Sequence, residues 1–569
     1  MTNEQPGARE AGEARVDAAD AVAGLEMLLA EGPYGPLRRV LPLAPAVRMA
    51  GALAGRPLTV ARRGAALAAE LARIGLGRST LAPPPRDQRY ADPAWSGNPL
   101  LRRSVQAHIA ARGVASDLIA DAELDGTDDE SVRSALDTLA DALAPSNTPL
   151  NPVAWREALE TGGASVVRGA RRLITDLATP PRLPATVEPD AFEVGTDVAA
   201  TPGAVVLRTP VFELIQYLPQ TEEVRDLPLL VVPPMVTRYY LADLAPGRSI
   251  VEHLVRGGQQ VFLLSWRNPG TQHATWDLDT YGRAVLEAMN ACEHVARTDR
   301  MSMMAFGSGG TITAMLLAHL AEIGEQERVA SLTFVASVLD HHEEAGTAGA
   351  TLVPKARAAM AASQRTGYLD GRVLAEAHAW MRPADLVWPY WVHNYLGGQS
   401  PPASEVLFWL ADTVRLPAGL HRDLVTIALD NPLVTPGASS MLGTAIDLSK
   451  VDRDAYVVAG ITGRPSTWRS CYRTALLLGG TSRFVLGGST ASVVCPPGEA
   501  TATFRVADTT PPEAERWLVG ARAVAGSWWS DHLAWLNERS GPLRDAPPEL
   551  GGRGMHAVAP APGEYVLQR

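Results

Sequence analysis

The run Met303 to Thr311, MMAFGSGGT, has the spacing of a nucleophile elbow, the strand-turn-helix corner that lifts one reactive side chain over the end of a sheet, yet Gly307 stands where the nucleophile belongs. Acyl transfer at such a corner needs a nucleophile, a histidine to take its proton, an acid to orient that histidine, and amides to hold the oxyanion. Ser308 supplies a hydroxyl one place past the tip and is the fallback nucleophile. His341, His342, His393 and His421 follow in the chain and are the candidates for its base, although each also reads as a loop or packing histidine. Asp340 to Glu344, DHHEE, carries ligand-type side chains. Adjacent positions do not converge on one ion as i and i+4 positions of a helix do, so no metal is expected and the run reads as a solvated loop.

The elements that must hold the corner are legible around it. Arg300 to Phe306 is a short apolar run suited to a buried strand, Gly307, Gly309 and Gly310 permit a tight turn, and Thr311 to Ile323 has helical apolar spacing. A glycine-rich connection in any doubly wound sheet shares that pattern, so the surrounding chain has to decide. From Val205 onward β-branched and aromatic runs recur: VVLRTPVFELIQYL, LPLLVVPP, QQVFLLSW, RMSMMAF, SLTFVASVL, AYVVAG and SRFVLGG. Helical stretches separate most of them, which predicts a mainly parallel sheet covered on both faces. Before it, the proline-rich break LAPPPRDQ (Leu81 to Gln88) opens a mostly helical region that ends near Pro180 to Pro184. Between Leu339 and Ala455 the alternation stops, and a segment rich in Trp, Tyr and Leu reads as a cap inserted over the strand ends, where α/β ligands bind. Trp388, Tyr390, Trp391 and Tyr395 there either wall a pocket or pack a helical subdomain.

Composition bounds the function. The chain has 569 residues, 46% of them hydrophobic, enough for more than one folding unit. A net charge of -11 argues against a general nucleic-acid binder. Cys292, Cys471 and Cys495 form neither a disulfide framework nor a metal set and suit a reducing cytosol. The polar, acidic first residues lack the features of a secretory signal, and no apolar stretch is long enough to span a membrane. Pro36 to Leu81 alternates apolar patches with Arg38, Arg39, Arg56, Arg62, Arg63 and Arg73, a pattern open to an amphipathic surface contact or to Ala-rich helices with solvated arginines.

Segments spread from about Tyr90 to the end of the chain carry a resemblance. DPAWSGNPLLRR, PSNTPLNP, GGASVVRGARRL, FEVGTDVAATPGAVV, FELIQYLPQT, YYLADLAPGRSIVEHLV, VFLLSWRNP, GTAIDLSKV, YRTALLLGG, RFVLGGS and SWWSDHLAWL together resemble the polyhydroxyalkanoate (poly(3-hydroxybutyrate)) synthase family. The resemblance implies an α/β-hydrolase-type, mainly parallel sheet with an inserted cap subdomain, preceded by a helical N-terminal domain. The expected division is a tail of amphipathic or partly disordered helices over 1–80, a helical domain over 81–204, a core over 205–340 and 431–569, and a cap over 341–430. The family's chemistry attacks an (R)-3-hydroxyacyl-CoA thioester with a cysteine, supported by histidine and aspartate.

Laid on this chain, those three positions fall on Gly307, Gly463 and Ala491. Thr237 and Arg238 also depart from the Asn-Lys usual after the VPP loop, and Leu410 replaces a polar residue before Asp412. Trp388, Trp391, Asn394, Tyr395, Asp412, Arg415, Leu416, Pro417 and His421 keep the cap pattern, and Trp528, Trp529 and Trp535 keep that of the last helix. No catalytic residue is therefore expected. Pro233, Pro234, Ser308, Trp388, Trp391, Tyr395 and His421 remain as expected substrate contacts, and no cofactor or metal is implied. The expected role is that of a non-catalytic homologue, cytoplasmic or granule-associated. It would act as a structural or regulatory partner in a homodimer or in a heterodimer with an active synthase, or bind acyl-CoA or the polyester granule surface. An active acyltransferase or hydrolase using Ser308 is the alternative.

Overall fold

The computed structural model describes residues 43–569 other than 86, 461–464, 489–492 and 553, and of residues 127, 130, 342–352, 381 and 465–467 only the backbone. Two compact units emerge: Glu31–Glu188 with Glu376–Pro402, described from residue 43, and Pro189–Ala375 with Ala403–Arg569. The segment expected as a single cap is thus cut, its middle belonging with the helical unit and its two flanks with the α/β unit.

The helical unit contains α1 (Leu43–Ala54), α2 (Pro57–Gly75), α3 (Pro99–Ala122), α4 (Gly126–Ala142), α5 (Pro152–Glu160) and α6 (Ala164–Ala178). Their starts are written locally. Asn98, Asp125 and Asn151 each accept a first-turn amide at 2.9 Å, and proline occupies the first turn of α2, α3 and α5, where its missing N–H costs nothing. Three of the arginines named in the 36–81 segment are paired rather than simply solvated: Arg56 with Glu123 at 2.6 Å, Arg63 with Asp117 at 2.6 Å and Asp121 at 2.7 Å, and Arg73 with Glu70, while Arg62 is exposed. Arg38 and Arg39 lie outside the described residues.

In the α/β unit the main sheet runs β1 (Gly203–Arg208), β2 (Phe212–Tyr217), β3 (Leu229–Val232), β4 (Val261–Trp266), β5 (Met301–Phe306), β6 (Val329–Val335), β7 (Asp454–Gly460), β8 (Ser482–Gly487), β9 (Thr503–Val506), β10 (Arg522–Ala525) and β11 (Ala559–Pro560). Their spatial order is β10-β9-β8-β7-β6-β5-β3-β4-β2-β1-β11. The six central strands, β8 to β4, pair in parallel, and every pairing outside them is antiparallel. The run VVLRTPVFELIQYL divides into β1 and β2, an antiparallel pair. Strands β2 to β5 are buried along their whole length, as a sheet covered on both faces requires. The helices used below are α7 (Leu278–Ala296), α8 (Ser308–Glu322), α9 (His342–Thr366), α10 (Ala418–Asp430), α11 (Pro465–Leu477) and α12 (Trp528–Asn537).

The start of the DHHEE run is not solvated. Asp340 and His341 are buried, Asp340 is bonded to Arg473 at 2.9 Å and to Asn431 at 2.8 Å, and His342 opens α9. Burial of an Asp next to a guanidinium and an amide satisfies its charge within the fold, so its oxygens are already committed.

Helix α12 seals one face of the sheet with Trp528, Trp529 and His532. The His532 ring meets Tyr456 edge-on and Thr333 Oγ1 at 2.9 Å, while burial, helped by nearby His253, holds its pKa down to about 3. The unfolded ring takes up a proton below about pH 6.5 and the folded ring does not, so this stability is complete above about 6.5 and is lost as pH falls. We expect the α/β unit to lose up to about 1.4 kcal/mol per pH unit below about pH 6.5, within a window that closes near the folded value. Denaturant midpoints at mildly acidic and neutral pH measure the slope; an equal slope in His532→Asn would assign it to other groups.

Candidate active site at the strand-helix elbow

Strand β5 delivers the chain to Gly307, whose φ of 48° and ψ of −119° turn it directly into α8. Residues with a Cβ avoid that positive-φ region, and where they occupy it the strain marks a functional corner. The corner is pinned on both sides: the Gly307 amide donates to the Val335 carbonyl at 2.9 Å, and Gly310 donates back to the Gly307 carbonyl at 2.9 Å. Gly309 and Gly310 are required by close approach. A Cβ on Gly309 would stand 2.5 Å from the Val232 carbonyl oxygen and 2.7 Å from that of Pro233, and one on Gly310 would stand 2.2 Å from Ser337 Oγ. The first turn of α8 therefore rests against the end of β3 and the chain leaving β6.

Ser308 lies beside the VPP loop. Its Oγ accepts the Met235 amide at 3.3 Å, and Met235 Sδ is 4.0 Å from it. In elbows of this kind the amide after the nucleophile and one from the loop following the neighbouring strand make the oxyanion hole. Here the loop amide of Met235 is taken up by the Ser308 hydroxyl. Among the described residues no histidine or carboxylate bonds that hydroxyl, the contact by which a base would activate it.

The parallel pairing of β5, β6, β7 and β8 brings the chain leaving β7, at 461, and the chain leaving β8, at 488, to the same sheet edge as Gly307. Gly463 and Ala491 follow those strands but lie outside the described residues; in sequence neither carries an acid or a base.

The other expected contacts are placed elsewhere. Trp388, Trp391 and Tyr395 form an edge-to-face series within the helical unit; Trp391 donates to the Asn147 carbonyl at 3.0 Å and Tyr395 to Asp176 at 2.8 Å. His421 is fully buried between α9 and α10, its Nδ1 2.7 Å from Ser363 Oγ. His393 Nδ1 lies 3.2 Å from Asn394 Oδ1 in the helical unit. The side chain of His342 lies outside the described residues. Pro233, Pro234 and Ser308 are thus the part of the expected set that the structure brings together at the elbow. Among the described residues there is no cluster of three or more His, Cys, Asp or Glu fit to hold a metal ion, and Cys292, Cys471 and Cys495 are separately buried.

Residues 86–254 match the family described as poly-beta-hydroxybutyrate polymerase (PhaC) N-terminus, and 241–457 match the alpha/beta hydrolase fold. The chain is 42% identical to poly(3-hydroxyalkanoate) polymerase 2 of Ectopseudomonas oleovorans, over 90% of this chain and 92% of that one. It is 35% identical to the poly(3-hydroxyalkanoate) polymerase subunit PhaC of Cupriavidus necator, over 86% of this chain and 84% of that one. The chain belongs to the poly(3-hydroxyalkanoate) polymerase family. Within that polymerase fold the elbow keeps its glycine-dependent packing and its turn, while the position at its apex has no side chain.

Residues that carry polar contacts at the same sheet edge were not singled out by sequence reading. Arg267 and Asn268 end the VFLLSWRNP run, immediately after β4, and Glu213 sits fully buried on β2. A run of polar residues directly after a buried strand was the available signal, because ligands gather at carboxyl ends of parallel strands.

Proposed function

We propose that this polymerase-family chain does not polymerise and serves instead as a structural or regulatory partner of an active polymerase. The observation that carries this reading is Gly307 at the apex of a fully formed elbow. A fold that retains the corner but lacks a group to accept the acyl chain cannot proceed through a covalent intermediate. In comparable enzymes, removing triad members lowers turnover by on the order of 10⁶ and leaves only what binding and the oxyanion hole provide. Gly463 and Ala491 at the acid and base positions support the same reading from sequence. Its partner would be a second copy of this chain or an active paralogue, and the retained fold would present the family's surfaces to that paralogue, to acyl-CoA or to a polyester granule.

The test uses purified full-length chain with (R)-3-hydroxybutyryl-CoA, following CoA release and covalent acylation by intact mass. No acyl adduct and no CoA release above the uncatalysed rate are expected, and Ser308→Ala should change neither. Turnover that Ser308→Ala abolishes would overturn the non-catalytic reading. Co-expression with an active paralogue, followed by affinity capture of one tagged chain and an assay of polymer yield, tests partnership; independent elution with unchanged yield would argue against it.

A further inference from the structure

The carboxyl ends of β3 and β4 hold a second polar site, beside the elbow and sharing Met235 with it. Thr237, Arg238, Ser265, Trp266, Arg267 and Val566 also line it, and as it stands it has room for about one water molecule, so a larger occupant must displace part of that lining. Its charge is unbalanced. Arg238 is nearly inaccessible and bonds Asp412 at 3.2 Å, whereas Arg267 has no carboxylate partner among the described residues. Among the described residues three buried polar atoms at the site have no hydrogen-bond partner: Ser265 Oγ, on a residue only 1% exposed, Thr237 Oγ1 and Arg267 Nε. Buried polar atoms are paired as a rule, so two orphaned hydroxyls beside a guanidinium with an unmet donor of its own mark a place for an acceptor-rich, negatively charged occupant.

The segment 564–568 shows what such an occupant looks like. The Arg238 guanidinium donates to the Tyr565 carbonyl at 3.1 Å and to the Gln568 carbonyl, and Asn268 Nδ2 donates to the Gln568 carbonyl at 3.2 Å. Arg267 lies 4.4 Å over the Tyr565 ring and donates to its hydroxyl. On the far side the buried Glu213 carboxylate accepts the amides of Glu564 and Tyr565, each at 2.9 Å. The donors of Arg238 and Asn268 thus already hold planar carbonyl oxygens, supplied by the chain itself.

We infer that Arg238, Arg267 and Asn268, with Ser265 and Thr237 behind them, form a binding site for a small carboxylate, and that the 564–568 segment gates it by occupying the same donors. Guanidinium groups match the planar carboxylate in two-point fashion, and the planar carbonyl oxygens now on these donors resemble a carboxylate more than a tetrahedral phosphate. This site is independent of turnover, so it stands or falls apart from the non-catalytic reading.

Calorimetric titration of the full chain with (R)-3-hydroxybutyrate tests it, with its neutral methyl ester and inorganic phosphate as further arms. Carboxylate binding is expected to tighten by about tenfold in Tyr565→Ala, because a self-occupied site lowers apparent affinity by its free fraction. Arg267→Gln is expected to weaken it by about tenfold or more, and the ester is expected not to bind. If Tyr565→Ala does not fold, Glu213→Gln loosens the same segment from its other side. In the unaltered chain, amide exchange at Glu564 and Tyr565 should quicken when the carboxylate is added. Equal affinity in Arg267→Gln, no carboxylate binding in the loosened variants, phosphate binding tighter than carboxylate, or exchange unmoved by ligand would each overturn the assignment.

Discussion

Gly307→Cys is expected to give a folded chain with a modifiable thiol at the elbow and no polymer from (R)-3-hydroxybutyryl-CoA. Two effects set this outcome. A side chain at φ 48° and ψ −119° carries backbone strain of about 1–3 kcal/mol, so the variant should melt measurably lower than the parent. The thiol also lacks a base. A free thiol titrates near 8.5, so it is about one-tenth ionised one unit below that, and the incoming hydroxyl finds no group to take its proton. Since members of a triad act as a unit, restoring one of them recovers little of a roughly 10⁶-fold loss. Single-turnover mass spectrometry should show at most slow acylation of Cys at position 307, and Gly307→Cys combined with Gly463→Asp and Ala491→His should acylate faster. Robust polymer synthesis by the single variant would mean that a working base stands elsewhere in the fold. The same strain bears on the native chain: glycine at the apex avoids the backbone cost that any side chain would carry there.

The elbow was legible in sequence because everything that makes it is local. A short apolar run, three glycines and an apolar continuation of helical spacing fix strand, turn and helix within about twenty positions. The central parallel strands were legible for a related reason, since strands covered on both faces are continuously apolar. The antiparallel margins were not. Strands β9, β10 and β11 are short, exposed positions interrupt the burial of β9, and no position of β10 is buried, so their patterns do not stand out from loop sequence. Side-chain partners were least legible. Aromatic types at Trp388, Trp391 and Tyr395 announced burial but not against what, and the answer, Asn147 and Asp176, lies more than two hundred residues earlier. Arg238 meets the carbonyls of Tyr565 and Gln568 across 327 and 330 positions, a pairing that no periodicity carries. DHHEE read as solvated because its composition is that of a surface run, and the fold instead supplied Arg473 and Asn431 to satisfy it.

Gly309→Ala is expected to cost more stability than the same methyl group added at the apex, Gly307→Ala. The new Cβ would stand 2.5 Å and 2.7 Å from the carbonyl oxygens of Val232 and Pro233, well inside contact distance, and both are backbone atoms that cannot rotate away. Relief requires α8 to move off the end of β3, which would strain the packing of a helix buried at every position from Gly309 to Leu320. Overpacking of a tight core costs typically 1–3 kcal/mol, and a clash borne entirely by backbone belongs at or above the top of that range, about 3 kcal/mol or more. Gly307→Ala supplies the comparison. It places the same methyl group two residues away, where the cost comes from φ alone and is about 1–3 kcal/mol. Urea denaturation of the two variants, followed by the fluorescence of the tryptophans on α12, would order them. A Gly309→Ala midpoint at or above that of Gly307→Ala would show that α8 is not held against β3 as tightly as those contacts imply. The order matters for the site because the amide of Met235 and the hydroxyl of Ser308 meet only while that helix stays seated, and the glycine-built elbow keeps its shape by that packing.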